Sequence, residues 1–196
     1  MRWLIIILFF CTTFTQAQNI QTLSEVKQKD ILQKEESIIY GNFIQRLGFS
    51  SGGFPQDIRL INLDTKEIVA FRVKPIFKTT KENSFVYFIK PGNYAILNYW
   101  WTQSKWYGGK MFTEPIFRGV DATDDFEKRI TSGEIEDDKL QMFTFTIVEN
   151  SLNYLGTWHF DKGLVFFSED KDKLDNELIQ QYGNLDFSKA KVNLPD

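Results

Sequence analysis

The clearest alternation of apolar and polar positions runs from Gln141 to Val148 (QMFTFTIV), with Phe143, Phe145 and Ile147 on one parity and Thr144 and Thr146 on the other. A period of two sends successive side chains to opposite faces of a sheet, so this segment predicts a strand with one buried face. A longer pattern spans Ser84 to Gly109. Phe85, Tyr87 and Ile89 alternate with Val86 and Phe88, and the run resumes with Tyr94, Ile96, Tyr99, Trp100 and Trp101 after Pro91-Gly92. Proline fixes φ and glycine accepts a positive φ, so the pattern predicts strand, tight turn, strand: a central hairpin leading into an aromatic loop at Trp106-Tyr107.

The same reasoning places further strands. Ile38 to Gln45 is a strand in which Gly41 marks a bulge or a close backbone approach. Asp57 to Leu63 and Glu67 to Val73 form a hairpin about Asp64-Thr65-Lys66. Gly109 to Phe117 is an edge strand or a strand end because of Pro115. Leu152 to Phe160 is expected to pair with Gln141–Val148 across Glu149-Asn150-Ser151, and Gly163 to Phe167 follows. Arg118 to Leu140, the most charged stretch, reads as a surface loop with a short helical turn or as an insertion. One helix is predicted, Ser168 to Tyr182, with Leu174, Leu178, Ile179 and Tyr182 on one face, Ser168 or Asp170 as cap and Gly183 as stop. About nine short strands against one helix predict an all-β fold, an antiparallel β-sandwich with one C-terminal helix.

Composition sharpens this picture. Aromatic residues make up 16% of the 196, led by 19 Phe, which suits pleated, half-buried surfaces. The net charge of −3, with no Lys/Arg block, argues against a nucleic-acid partner. The amino terminus reads as a secretory signal: Met1-Arg2, the apolar run Trp3 to Phe10, and small residues at Thr15 and Ala17. That run is too short to span a bilayer, so no membrane span is expected after cleavage. The divisions expected are a signal peptide (1–17), a polar linker (18–37), a β-sandwich domain (38–168) and a C-terminal helix with its tail (169–196). The one cysteine, Cys11, lies in the signal; bulky Phe9 and Phe10 before it disfavour lipidation, and the mature chain then has no thiol.

The residues that could carry chemistry are few. His159 is the only histidine, so neither a multi-histidine zinc site nor a Cys-His pair can form, and no serine sits in a GxSxG setting. Asp121, Asp124, Asp125 and Glu127, and Glu134, Glu136, Asp137 and Asp138, form acidic clusters without calcium-loop spacing. No catalytic residue, metal or cofactor is expected. The candidate ligand-binding group is Tyr99, Trp100, Trp101, Trp106 and Tyr107, aromatics able to stack on sugar rings or partner side chains.

The segment Phe88-Ile89-Lys90-Pro91-Gly92-Asn93-Tyr94 resembles the PGxY hairpin of carboxypeptidase-regulatory-like and transthyretin-like β-sandwich domains, and Ile58 to Thr65 is similar to their V-x-L-x-N-x-x-T strand and turn. A Pro-Gly turn followed by a strand like Tyr154-Leu155-Gly156 also resembles small exported bacterial proteins of unknown function, and the signal ending at Ala17-Gln18 is similar to those of Bacteroidetes-type bacteria. The resemblance implies a non-catalytic accessory or binding role; the signal and the thiol-free mature chain point to the periplasm or cell surface, with a protein or glycan of the cell envelope as the expected partner. A carbohydrate-binding module using Trp100, Trp101 and Trp106 is the alternative, and a hydrolase using carboxylates such as Asp121 or Glu134 a third reading.

Overall fold

Alternation decides which face a side chain takes, but hydrogen-bond pairing decides which sheet its strand joins. The computed structural model describes residues 20–44, 56–73, 82–105, 108–121, 126–161 and 163–196. The signal peptide expected at 1–17, with Cys11, and the loop at 49–55 lie outside the described residues. The fold is mostly β, with little helix. Its strands are β1 (Gln21–Thr22), β2 (Ser37–Ile44), β3 (Gln56–Asn62), β4 (Ile68–Val73), β5 (Glu82–Ile89), β6 (Gly92–Lys105), β7 (Gly108–Pro115), β8 (Thr144–Ile147), β9 (Leu152–His159), β10 (Phe166–Ser168) and β11 (Lys191–Val192). They form two sheets. The first runs β1-β4-β3-β6-β7 with β8 also on β6, and the second runs β10-β9-β2-β5 with β11 also on β9.

Two expected hairpins are corrected. β5 pairs with β2 in the second sheet, whereas β6 pairs with β3, β7 and β8 in the first, so Pro91-Gly92 carries the chain between sheets. Likewise β8 lies in the first sheet and β9 in the second. The physical reason is that β5 is apolar on both sides. Phe85, Tyr87 and Ile89 enter one apolar cluster and Val86 and Phe88 another, which requires a sheet covered on both faces. The β3–β4 hairpin does form, from Gln56↔Val73 to Ile61↔Ile68.

The purely antiparallel pattern is corrected too. β2 is antiparallel to β5 but parallel to β9, and β1–β4 and β11–β9 are parallel pairs. A parallel pair needs a long return connection, and here the chain of the first sheet supplies it.

The main cluster draws Ile58, Leu60, Phe71, Tyr94 and Ile96 from the first sheet and Ile39, Phe43, Phe85, Tyr87 and Trp158 from the second. Phe71 meets Phe85 at 4.9 Å and Trp158 edge-on at 5.7 Å between ring centres. The opposite face of the second sheet presents Ile38, Tyr40, Val86, Leu152 and Tyr154 to α2 (Lys171–Gln181) and to Leu185 and Phe187 beyond it. Leu174, Leu178 and Tyr182 form the buried stripe of α2, while Ile179, expected on that face, is 54% exposed. The i, i+4, i+8 positions exclude it. The charged stretch contains a short helix, α1 (Phe126–Thr131), in the segment read as a loop with a short helical turn or as an insertion.

The polar linker expected at 18–37 is tied to both sheets over its described part. Leu23 N–H donates to Ala70 O at 2.8 Å in the first sheet. Phe88 N–H donates to Ser24 O at 2.9 Å and Val26 N–H to Val86 O at 3.0 Å in the second. Val26 is 2% exposed, so one apolar side chain anchors a segment whose composition is polar. The carboxyl-terminal tail does the same in reverse: after β11 it reaches the first sheet, where Asp196 and Thr144 exchange backbone hydrogen bonds. No described helix is long and apolar enough to cross a membrane.

Candidate functional site

The β6–β7 hairpin pairs continuously from Asn98↔Pro115 to Lys105↔Gly108. The pairing of β3 with β6 ends at Asp57↔Trp100, so among the described residues the hairpin beyond Trp101 is two-stranded and outreaches its sheet. Residues 106 and 107 connect the strands. Trp106 and Tyr107, two of the expected contact residues, lie outside the described residues.

The other three part company. Tyr99 is buried in the main cluster, its ring 5.5 Å from that of Phe43 and 5.2 Å from that of Phe160, and its hydroxyl donates to the Gln56 side chain. Trp101 is 6% exposed and stacks on Phe112 at 4.5 Å, with its Nε1–H donated to Glu114 Oε1 at 3.0 Å. Both are thus corrected from contact surface to structural core. Positions two apart in a strand share a face, and Tyr99 and Trp101 share the inner one. Trp100, between them, takes the outer face and stays half-buried.

Trp100 sits in a small constellation. Arg59, from β3, holds its guanidinium 6.0 Å from the Trp100 ring centre, within cation–π range. Asp57 and Thr113 are the cross-strand partners of Trp100. Asp57 also accepts a hydrogen bond from Arg72 Nε at 2.9 Å, which raises the Arg72 pKa. Met111, opposite Thr102, is 64% exposed. Asn98, opposite Arg59 on the same face, has its Oδ1 buried without a hydrogen-bond partner.

The sequence pattern makes Gly109 to Phe117 an edge strand but gives it no partner, so Arg59, Met111 and Phe112 go unmarked as neighbours of Trp100 and Trp101. A two-residue connection at Trp106-Tyr107 would have set the register and placed Phe112 opposite Trp101 and Met111 opposite Thr102.

His159, Asp121 and Glu134 are committed to structural contacts. The His159 ring lies flat on Phe166 at 4.1 Å, and its Nε2 is 2.8 Å from Ser168 Oγ. Ser168 donates its own hydrogen to Asp170 Oδ2 at 3.0 Å, so the imidazole is left to donate to the serine. Its Nδ1 stands 3.9 Å from Asp161, too far for a hydrogen bond. The group clamps β10 and the start of α2 onto β9. Arg129 binds Glu134 at 2.9 Å and the backbone carbonyl of Asp121 at 2.7 Å, while the Asp121 carboxylate packs against Gly163. The two carboxylates named for hydrolysis therefore do not share a substrate-facing pair. Among the described residues no group of three or more His, Cys, Asp or Glu could hold a metal ion. Asp124 and Asp125 lie outside the described residues.

No family model matches the chain, and no curated protein matches it. Among solved structures it is similar to a leucine-rich repeat protein from Bacteroides thetaiotaomicron, at 10% identity and a TM-score of 0.36. The match covers 63% of this chain and 14% of that one, and a likeness of that size carries no argument about fold or activity.

Proposed function

We propose that this chain is an exported β-sandwich protein that binds a protein partner at the cell envelope and is not a catalyst. The outer face of the β6–β7 hairpin is the contact surface. The observation that carries this reading is Trp100, half-buried between Arg59 and the exposed Met111 side of a hairpin that outreaches its sheet. Trp and Arg dominate interface hot spots and Met is enriched at interfaces, whereas isolated exposed apolar residues are ordinary. Apolar contacts between the sheets support the sandwich frame, and the covered outer face of the second sheet leaves the first sheet free to present a surface. The glycan reading draws less support. Trp100 and Trp101 face opposite sides, so they cannot form one stacking platform.

A photo-crosslinking residue at Thr102, on the outer face, tests the proposal in the living exporting cell. The expected result is an adduct with a different protein that is lost on Trp100→Ala and absent when the label replaces the exposed Ile179 of α2. Equal labelling from both positions, or none from Thr102, would overturn it.

A further inference from the structure

β7 is the outer strand of the first sheet, and among the described residues it pairs with β6 alone. Such an edge offers a row of backbone donors and acceptors to another strand. Beside it lies a groove of about 350 Å3, walled by Lys110, Phe112, Glu114 and Pro115 on one side and by Phe126 and Glu127 on the other.

We infer that the strand that adds here is β7 of a second copy of this chain, antiparallel about a two-fold axis at Phe112. The sequence Gly108-Gly109-Lys110-Met111-Phe112-Thr113-Glu114-Pro115 is self-complementary in that register. Lys110 falls opposite Glu114 of the second copy, and Glu114 opposite its Lys110, so both charge pairs attract. Phe112 meets Phe112 and Met111 meets Thr113. Gly109 falls opposite Pro115, the strand's one residue without an N–H, so no side chain opposes the pyrrolidine ring. Centring the axis on Lys110 or on Glu114 would oppose like charges instead. An edge lysine ordinarily discourages pairing, but here the same strand carries its counter-charge.

The axis stands normal to the sheet, so both Trp100 faces come to the same side of one continuous sheet. The dimer is then bivalent toward any partner bound there, a gain in avidity without new contacts. Self-pairing rests on the β7 edge and not on the contact reading of the outer face.

Sedimentation of the purified protein across a concentration series is the test. A reversible dimer is expected. Lys110→Glu alone, or Glu114→Lys alone, should weaken it roughly tenfold by opposing like charges. The two variants mixed together should associate, because each then meets its opposite. Glu114 also accepts the Trp101 indole N–H, so a folding defect in Glu114→Lys would show in its circular dichroism. A second pair avoids that residue. In a Cys11→Ser background, Met111→Cys mixed with Thr113→Cys should oxidise to a covalent dimer far faster than either alone. A monomer at every concentration, or crosslinking without that preference, overturns the inference. A monomer that still gives the Thr102 adduct would end the dimer and leave the contact surface standing.

Discussion

Gly41 and Gly156 face each other across the parallel β2–β9 pair, so closely that a Cβ on Gly41 would collide with the Gly156 carbonyl oxygen. The register of the pair shifts between Tyr40 and Asn42, and Gly156 adopts φ 87°, so the two glycines form one bulge. Gly41→Ala is expected to lower stability by about 3 kcal/mol, because the obstacle is backbone and cannot rotate away. Denaturant midpoints check this; an unchanged midpoint would mean that the strands can separate without cost.

Trp100 and Trp101 should respond to truncation in opposite ways. Trp101→Ala removes the Phe112 stack and the indole hydrogen bond to Glu114, and should cost about 3–5 kcal/mol. Trp100→Ala should cost about 1 kcal/mol or less while abolishing partner binding. Acrylamide quenching of single-Trp variants reports the same division, with Trp100 quenched well before Trp101 or the fully buried Trp158.

The amino-terminal strap should be part of the cooperative fold. Val26→Ala is expected to cost about 2 kcal/mol for the apolar surface lost and the space left. Hydrogen exchange should protect the amides of Leu23, Val26 and Phe88 nearly as well as those of β2. Exchange of these three at the rate of an open chain would mean that the strap is merely laid on the surface.

Alkaline pH should unfold the protein through its buried phenols. Burial, with a smaller push from Glu25, raises the Tyr87 pKa from 10.0 to about 12. Burial also raises those of Tyr40, Tyr94, Tyr154 and Tyr182. The native state holds these protons where the unfolded chain releases them. Their contribution is complete below about pH 10 and is lost as pH climbs through the folded values. Two pK units correspond to about 3 kcal/mol for Tyr87 alone. Urea unfolding from pH 8 to 11.5 should give a flat stability followed by a steep fall, shallower in Tyr87→Phe.

The strands were legible in the sequence because parity is local. Phe143, Phe145 and Ile147 are buried and Thr144 and Thr146 exposed, as their alternation requires. Gly41 announced its close approach because few other roles suit a glycine inside an apolar strand. What alternation does not encode is the partner strand. Pro91-Gly92 serves a hairpin and a crossing between sheets equally well, and only the distant partners β2 and β3 choose between them. The site failed at the same point. Aromatic composition picked out five residues, but parity sends Tyr99 and Trp101 inward, and the neighbours that make Trp100 a site come from β3 and β7.

The parallel pairing of β2 with β9 also sets a timetable. Ile38 must wait for Leu152, so the second sheet cannot close until most of the chain has left the ribosome. β2 and β5 alone lack the further strands that a stable sheet needs. For the export proposed above this delay is useful, since a thread that cannot fold early stays able to pass a translocation pore. A product ending between Ile147 and Leu152 would have every strand of the first sheet but only β2 and β5 of the second.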